Sequence, residues 1–339
     1  MSASAAVVPR PVNPLNRFVQ RHAWTVGVWV LFAALLAWYA SRLESFGNFE
    51  KASILTTAVA AAYAAMGQGI VILGGGIDLG LGSMVILANC VSAKWMEGRS
   101  LPACLALAVI VVLLAASLGG FIGWIIDRTG VPDIIVTLAT SFSLFGLALF
   151  ILPSPGGGTS PSFAHIVTGS DSGEVYWPAI LCLAVPFLVV WLPLRRRRIV
   201  LSIYAAGSDR NAAFLSGVSM AHTKITSYAL GSLFAGLAGL ATTAVTGSGE
   251  PRFSTASGFT LNAVAAAVLG GVALTGGVGG MLGPIAAALA LSLLSPILTQ
   301  LQDGFSWMDS NMAEIVKGLI LILVVMLGGY ARSRRAKVT

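Results

Sequence analysis

Ten stretches of mostly apolar residues dominate the chain, over 23–40, 52–73, 79–95, 101–126, 134–152, 177–194, 225–246, 260–274, 281–301 and 313–330. About 20 apolar residues in a helix cross the hydrocarbon layer of a bilayer. Only helices and closed barrels satisfy their backbone polar groups in lipid, and these run lengths are helical. The expected fold is an all-α integral membrane protein of about ten transmembrane helices, some short or Gly-interrupted, in two loosely repeated halves. Charge excludes the soluble classes: 10% of the 339 residues are charged and 56% are hydrophobic, against about 25% charged in soluble domains. The first stretch follows Arg10, Arg17 and Arg21 but is longer than a signal-peptide core, and no A-x-A site follows it. It reads as a retained helix.

Orientation follows from the cations. With ten alternating spans and both termini cytoplasmic, 14 of the 20 Lys and Arg fall inside. These include the Arg195–Arg198 run, Arg210, Lys224 and the tail cations from Arg332 to Lys337. One span more or fewer would put either the Arg195–Arg198 run or the tail on the wrong side. The expected organisation is a cytoplasmic segment 1–22, a single transmembrane domain 23–331 with its cytoplasmic loop at about 195–224, and a basic tail 332–339. The formal charge of +7 lies in short stretches between apolar runs and not on a solvated face, so nucleic acid is not a partner and the lipid bilayer is.

The hydrophobic pattern breaks twice in corresponding places, at GGGIDLGLGS (74–83) and GGVALTGGVGGMLG (270–283). Paired interruptions in two halves point to a transporter's pathway; taken singly, each also fits a tight turn that needs glycine for positive φ. Neither fits a phosphate-binding loop. Asp78 is the carboxylate most closely flanked by apolar residues, and an ionised Asp in the membrane must meet protein, water or a helix N-terminus. It reads either as a pathway residue or as the cap of a helix starting near Leu79. Candidate pathway or gate residues are Gly76, Asp78, Ser83, Asn89, Thr137, Thr140, Asn262 and Thr275.

Small residues at i+4 spacing, Ser227-Gly231-Ala235-Gly239-Thr243 and Ala115-Gly119-Gly123, predict close helix packing. Cys90, Cys104 and Cys182 lack ligand spacing and read as small hydrophobes, so no metal site is expected. The segment 153–176, with Asp171 and Glu174, has no Lys or Arg and reads as external. Glu314 and Lys317 are spaced to pair on the last helix. In the internal loop, Asp209 or Ser208 can cap a short helix over 210–216 that Gly217 ends. Such a helix is marginal alone, and its natural use is to rest in a partner's groove.

GGGIDLGLGS, GVPDIIVTLAT (130–140), GSDRNAAFLSGV (207–218), LNAVAAAVLGGVALTGGVGGMLG (261–283) and EIVKGLIL (314–321) occur in this order. Together they resemble the membrane permease subunits of ribose-type sugar ABC importers, over most of residues 50–330. The resemblance implies pairing with a second permease, a cytoplasmic ABC ATPase pair that uses ATP and Mg, and an extracytoplasmic solute-binding protein. It also implies a bacterial inner-membrane location and no cofactor on this chain. The 209–217 segment matches the region that contacts the ATPase, giving Ser208, Asp209, Arg210, Asn211, Ala212, Ala213, Leu215 and Gly217 as coupling candidates. Gly80 stands where the family signature has Ser, so no polar role is carried over there.

The expected function is passage of a sugar or similar small polar solute into the cytoplasm, with no covalent chemistry on this chain. The rival is an ion-coupled secondary transporter, which commonly uses acidic or His residues in the membrane. Asp78 is the one acidic residue convincingly near its interior, which favours an external energy source. A channel is weaker still, since no charged ring or filter-like segment appears.

Overall fold

The computed structural model describes residues 14–170 and 175–304, with 312, 315, 316, 318–320, 322, 323 and 326 beyond them. Asp171, Glu174, Glu314, Lys317, most of the tenth apolar stretch and the tail cations lie outside the described residues. Among the described residues the regular secondary structure is helical, apart from one isolated antiparallel bridge between Gly156 and Gly249. Seven of its helical stretches are long and apolar enough to cross a membrane. Two shorter apolar helices, Leu81–Met96 and Phe253–Leu269, accompany them.

In order, the elements are α1 (Pro14–Arg42), α2 (Asn48–Leu73), α3 (Leu81–Met96), α4 (Leu101–Thr129), α5 (Asp133–Ile151) and α6 (Pro161–Thr168). Then come α7 (Trp177–Pro186), a π turn at Phe187–Trp191, α8 (Leu192–Leu194), α9 (Arg198–Ser208) and α10 (Arg210–Leu215). The chain continues through α11 (Met220–Thr246), α12 (Phe253–Leu269), α13 (Leu282–Ser292) and α14 (Leu294–Gly304). Prolines explain two irregularities. Pro186 has no N–H to offer Cys182 O four residues back; the Tyr63 hydroxyl donates to that carbonyl instead, and the helix widens into the π turn. Pro296 likewise leaves Ser292 without its donor, and α13 and α14 part at Leu293.

α2 is the axis of the bundle, with 83% of its apolar window buried, and α11, α12, α13 and α7 pack around it. Alanines and glycines let the backbones approach. A Cβ at Gly67 would stand 2.5 Å from Gly231 O. One at Gly239 would stand 2.5 Å from Val85 O, and one at Gly123 would stand 2.9 Å from Lys224 O. Both small-residue stripes therefore lie in helix contacts. The outer faces of α4 and α5 keep apolar residues such as Leu113, Phe121, Ile135 and Phe142 exposed, the surface lipid would cover.

Several boundaries differ from expectation. α1 begins at Pro14 and not near residue 23, α3 begins at Leu81 and not Leu79, and α12 runs over Phe253–Leu269 and not 260–274. The last shift has a clear cause: Gly270 caps α12, its N–H reaching Ala266 O. Most of the internal loop is also helical. α9 forms because Val200 and Ile203 give it an apolar face, and both are buried. The external segment likewise holds α6, capped by Ser160 and anchored by buried Phe163 and Val167.

Candidate functional site

The two Gly-rich breaks share one local geometry. α2 ends as Gly74, Gly75 with φ +76° and Gly76, whose N–H reaches back to Val71 O. α12 ends as Gly270, Gly271 with φ +101° and Val272, whose N–H reaches back to Ala267 O. In both, the N–H of the positive-φ glycine returns to a carbonyl three residues earlier. This is the Schellman ending, in which a left-handed residue satisfies the last carbonyls of a helix. The two interruptions expected from the apolar pattern thus begin with the same helix ending.

The breaks also touch. Gly277 N–H donates to Leu73 O, the last residue of α2, at 2.9 Å. The C-terminus of α9 is wedged over this junction. A Cβ at Gly207 would run into Leu73 O and come within 2.6 Å of Gly277 N, and one at Gly276 would stand 2.8 Å from Gly207 O. The Tyr204 hydroxyl donates to Gly279 O at 2.8 Å, and Ser208 Oγ to Gly277 O at 3.4 Å. Burial pushes the Tyr204 phenol up, partly opposed by Arg195. Beneath the junction lies a cavity of about 230 Å³ bordered by Gly74, Gly75, Gly207, Arg210, Lys224 and Thr275.

α10 follows directly. Asp209 caps it by accepting from Ala212 N–H at 2.9 Å, and Gly217 with φ +80° closes it. Asn211, Ala212, Phe214 and Leu215 face outward, whereas Ala213 is 6% exposed and packs inward. The sequence alone does not distinguish Ala212 from Ala213, and Phe214 is not among the residues it points to. Phe214 is 67% exposed and Leu215 84%.

At the first break, five of the eight pathway candidates gather. Asp78 is 1% exposed and its Oδ1 accepts from Gly80 N–H at 2.8 Å. The carboxylate therefore satisfies an orphan donor just ahead of α3, from outside the cap position, which Gly80 occupies. Thr137 accepts from Leu79 N–H at 3.1 Å and donates to Asp133 O at 2.9 Å. Thr140 donates to Thr137 O, and Ser83 shares a 2.8 Å hydrogen bond with Ser141. Gly76 is pressed from below: a Cβ there would lie 2.6 Å from Asp133 Oδ2.

Four residues of this cluster escaped the sequence reading. Lys224 Nζ lies 2.7 Å from Asp133 Oδ2, with side chains 14% and 18% exposed. Tyr228 OH donates to the same oxygen at 2.9 Å. The buried Gln68 carboxamide, oriented so that both its ends are satisfied, pairs with the backbone N–H and carbonyl of Asp78. In the sequence, Lys224 reads only as an inside charge. Its partner is 91 residues away, beyond the reach of periodicity; the one available signal was Asp133 opening a helix ahead of an apolar run.

The remaining candidates lie apart. Thr275 borders the cavity below the second break. Asn89 is buried, donates to Thr243 Oγ1 and Ser248 O, and accepts from Glu250 N–H at 2.9 Å. It fastens α3 to the α11–α12 connection. Asn89→Leu should therefore destabilise by about 1–3 kcal/mol by stranding these partners, read as a lower midpoint of thermal unfolding in detergent. Asn262 borders a separate cleft of about 800 Å³ between α2, α12 and α13, which also carries Ser53, Thr57, Ser254, Ser292 and Ser295.

Residues 50–325 match the family described as the permease component of the branched-chain amino acid transport system. The chain belongs to that permease family. The permease is 34% identical over 268 residues to the ribose import permease protein of Escherichia coli (strain K12), covering 78% of this chain and 80% of that one. It is 31% identical over 263 residues to the D-allose transport system permease protein of the same strain, covering 77% and 78%. It is 29% identical over 265 residues to the fructose import permease protein of Bifidobacterium longum (strain NCC 2705), covering 76% and 75%. No solved structure matches the chain. The permease is thus an inner-membrane component of an ABC importer, a transport subunit and not an enzyme. Its family implies an ATPase and a solute-binding protein as partners.

Proposed function

We propose that the permease carries a sugar or similar small polyhydroxylated solute into the cytoplasm, driven by ATP binding to a cytoplasmic ATPase pair and supplied by an external solute-binding protein. It crosses the membrane about ten times with both termini inside and pairs with a second permease, identical or homologous. ATP and Mg act on the partner. The observation that carries this reading is the seating of α9, which leads into α10, on both Gly-rich breaks at once. An ATPase holding the coupling candidates Ser208 to Gly217 is then one rigid step from the interruptions in α2 and α12. In an alternating-access cycle, ATP and solute must favour different arrangements of that junction.

The polar solute's lane is the Asn262 cleft. Its hydroxyls and carboxamide match the donors and acceptors of a polyol, and its floor of Ala61, Ala64, Ala263, Ala266 and Ala288 leaves room for passage. Three curated relatives whose names give a solute name ribose, D-allose and fructose, which supports the class. The ion-coupled rival gains nothing from a second, half-buried carboxylate, because Lys224 neutralises Asp133 and the Gly80 N–H engages Asp78.

Uptake assays with the assembled transporter test the solute class. Labelled pentoses and hexoses presented with the cognate binding protein should accumulate, and branched-chain amino acids should not. Accumulation of leucine with no sugar accumulation would overturn it.

A further inference from the structure

The Asp133, Lys224 and Tyr228 cluster stands between the coupling segment and the first break, and neither the family nor the pathway reading uses it. The covalent route is short. α10 ends at Leu215, Gly217 turns the chain, and Ser219 caps α11 by accepting from His222 N–H. Lys224 lies in the opening turns of α11 and borders the same cavity as Arg210 and Gly207. Its ammonium reaches across to Asp133, the first residue of α5, at 2.7 Å. Asp133 Oδ2 in turn fills the space beneath Gly76 that a Cβ would need. Tyr228 OH lies 2.9 Å from that oxygen and 3.4 Å from Ile77 O, inside the break itself. Lys224 also stands 5.8 Å from the Tyr228 ring centre, so one cation organises both groups.

A purely structural ion pair has no need of this placement. Replacing such a pair with apolar groups is often neutral or stabilising, whereas removing one partner strands the other charge. Here the pair joins two helix starts to a break with no regular backbone of its own. Only Ser216–Ser219 separate α10 from α11, and the charge pair joins α11 to the space beneath Gly76.

We propose that Lys224 and Asp133 are positioning residues for transport: the pair is the link through which movement of the coupling segment sets the conformation of the α2–α3 break. The proposal rests on the ATP-driven permease reading and adds to it the route of the coupling.

The test uses the full transporter in proteoliposomes, measuring solute imported per ATP hydrolysed in wild type, Asp133→Asn, Lys224→Met and the double variant. The single variants should lower this ratio by roughly 5–150-fold, the ordinary range of coupling between sites. Where stranding a charge unfolds the singles, the double variant decides. It leaves no charge stranded, so its thermal midpoint should return towards wild type while its ratio stays low. A double variant with the wild-type ratio would overturn the proposal and leave the pair a structural contact. Wild-type complex that hydrolyses ATP yet imports nothing would instead remove the permease reading beneath it.

Discussion

Replacing Phe214 and Leu215 together with glutamate is expected to release the ATPase and abolish ATP-driven uptake, while the permease still folds in the membrane. Both side chains stand on the outer face of α10, 67% and 84% exposed, on a helix capped by Asp209 and closed by Gly217. Neither contributes to the buried core, so their loss costs the isolated subunit little. Burying a large apolar side chain is worth about 1.5–3 kcal/mol, so losing two weakens docking by roughly 4 kcal/mol, or about a thousandfold. Co-purification of the ATPase with the permease reads the association directly. Ala213→Glu is the informative contrast: because Ala213 is buried against the permease's own helices, this variant should lower the thermal midpoint, which the Phe214 and Leu215 pair should leave near wild type. Retained ATPase binding by the double glutamate variant would remove α10 from the docking surface.

Gly207→Val is expected to be among the most damaging single changes in the chain. Its Cβ would press into Leu73 O and against Gly277 N, backbone atoms of the two breaks that cannot rotate away. Overpacking a well-packed interior costs about 1–3 kcal/mol and occasionally more; here relief requires lifting α9 off the junction. The result should be loss of uptake together with a lower thermal midpoint. Gly146→Val, on α5 with open space around the added Cβ, should leave the stability within about 1 kcal/mol of wild type, an upper bound on the helix-propensity difference between the two residues. Wild-type uptake by Gly207→Val would show that the contact between α9 and the breaks carries no coupling.

What the sequence made legible follows from what a one-dimensional pattern can encode. Apolar run length reports membrane helices, and interruption of a run reports a break, so α2, α4, α5 and the two Gly-rich segments could be read directly. The i+4 stripes on α4 and α11 identified packing faces because small residues at that spacing serve little else. The pattern does not name partners. Lys224 and Asp133 are far apart in sequence, and each has an ordinary local reading, one as an inside charge and the other as an acidic residue in a first helical turn. Tyr228 and Gln68 sit in apolar runs, where a single polar residue carries no directional signal. The internal loop was legible only in part. The cap at Asp209 and the closing Gly217 marked α10, whereas Val200 and Ile203, which fold α9 onto the breaks, are too few to mark a membrane span. Asp78 fits either a pathway or a cap role by sequence; in the fold Gly80 holds the cap position, and the Asp78 carboxylate serves the start of α3 from two residues ahead.

The central claim is that an external ATPase acting at α9 and α10, and not an ion gradient, drives passage through this permease. Its most direct test is solute accumulation in proteoliposomes holding the permease pair with its ATPase and binding protein, with Mg-ATP supplied to the ATPase side and ionophores collapsing every ion gradient. The account predicts accumulation that continues with the gradients collapsed and stops when ATP is withdrawn. Accumulation that needs a proton or sodium gradient and proceeds without the ATPase would contradict it.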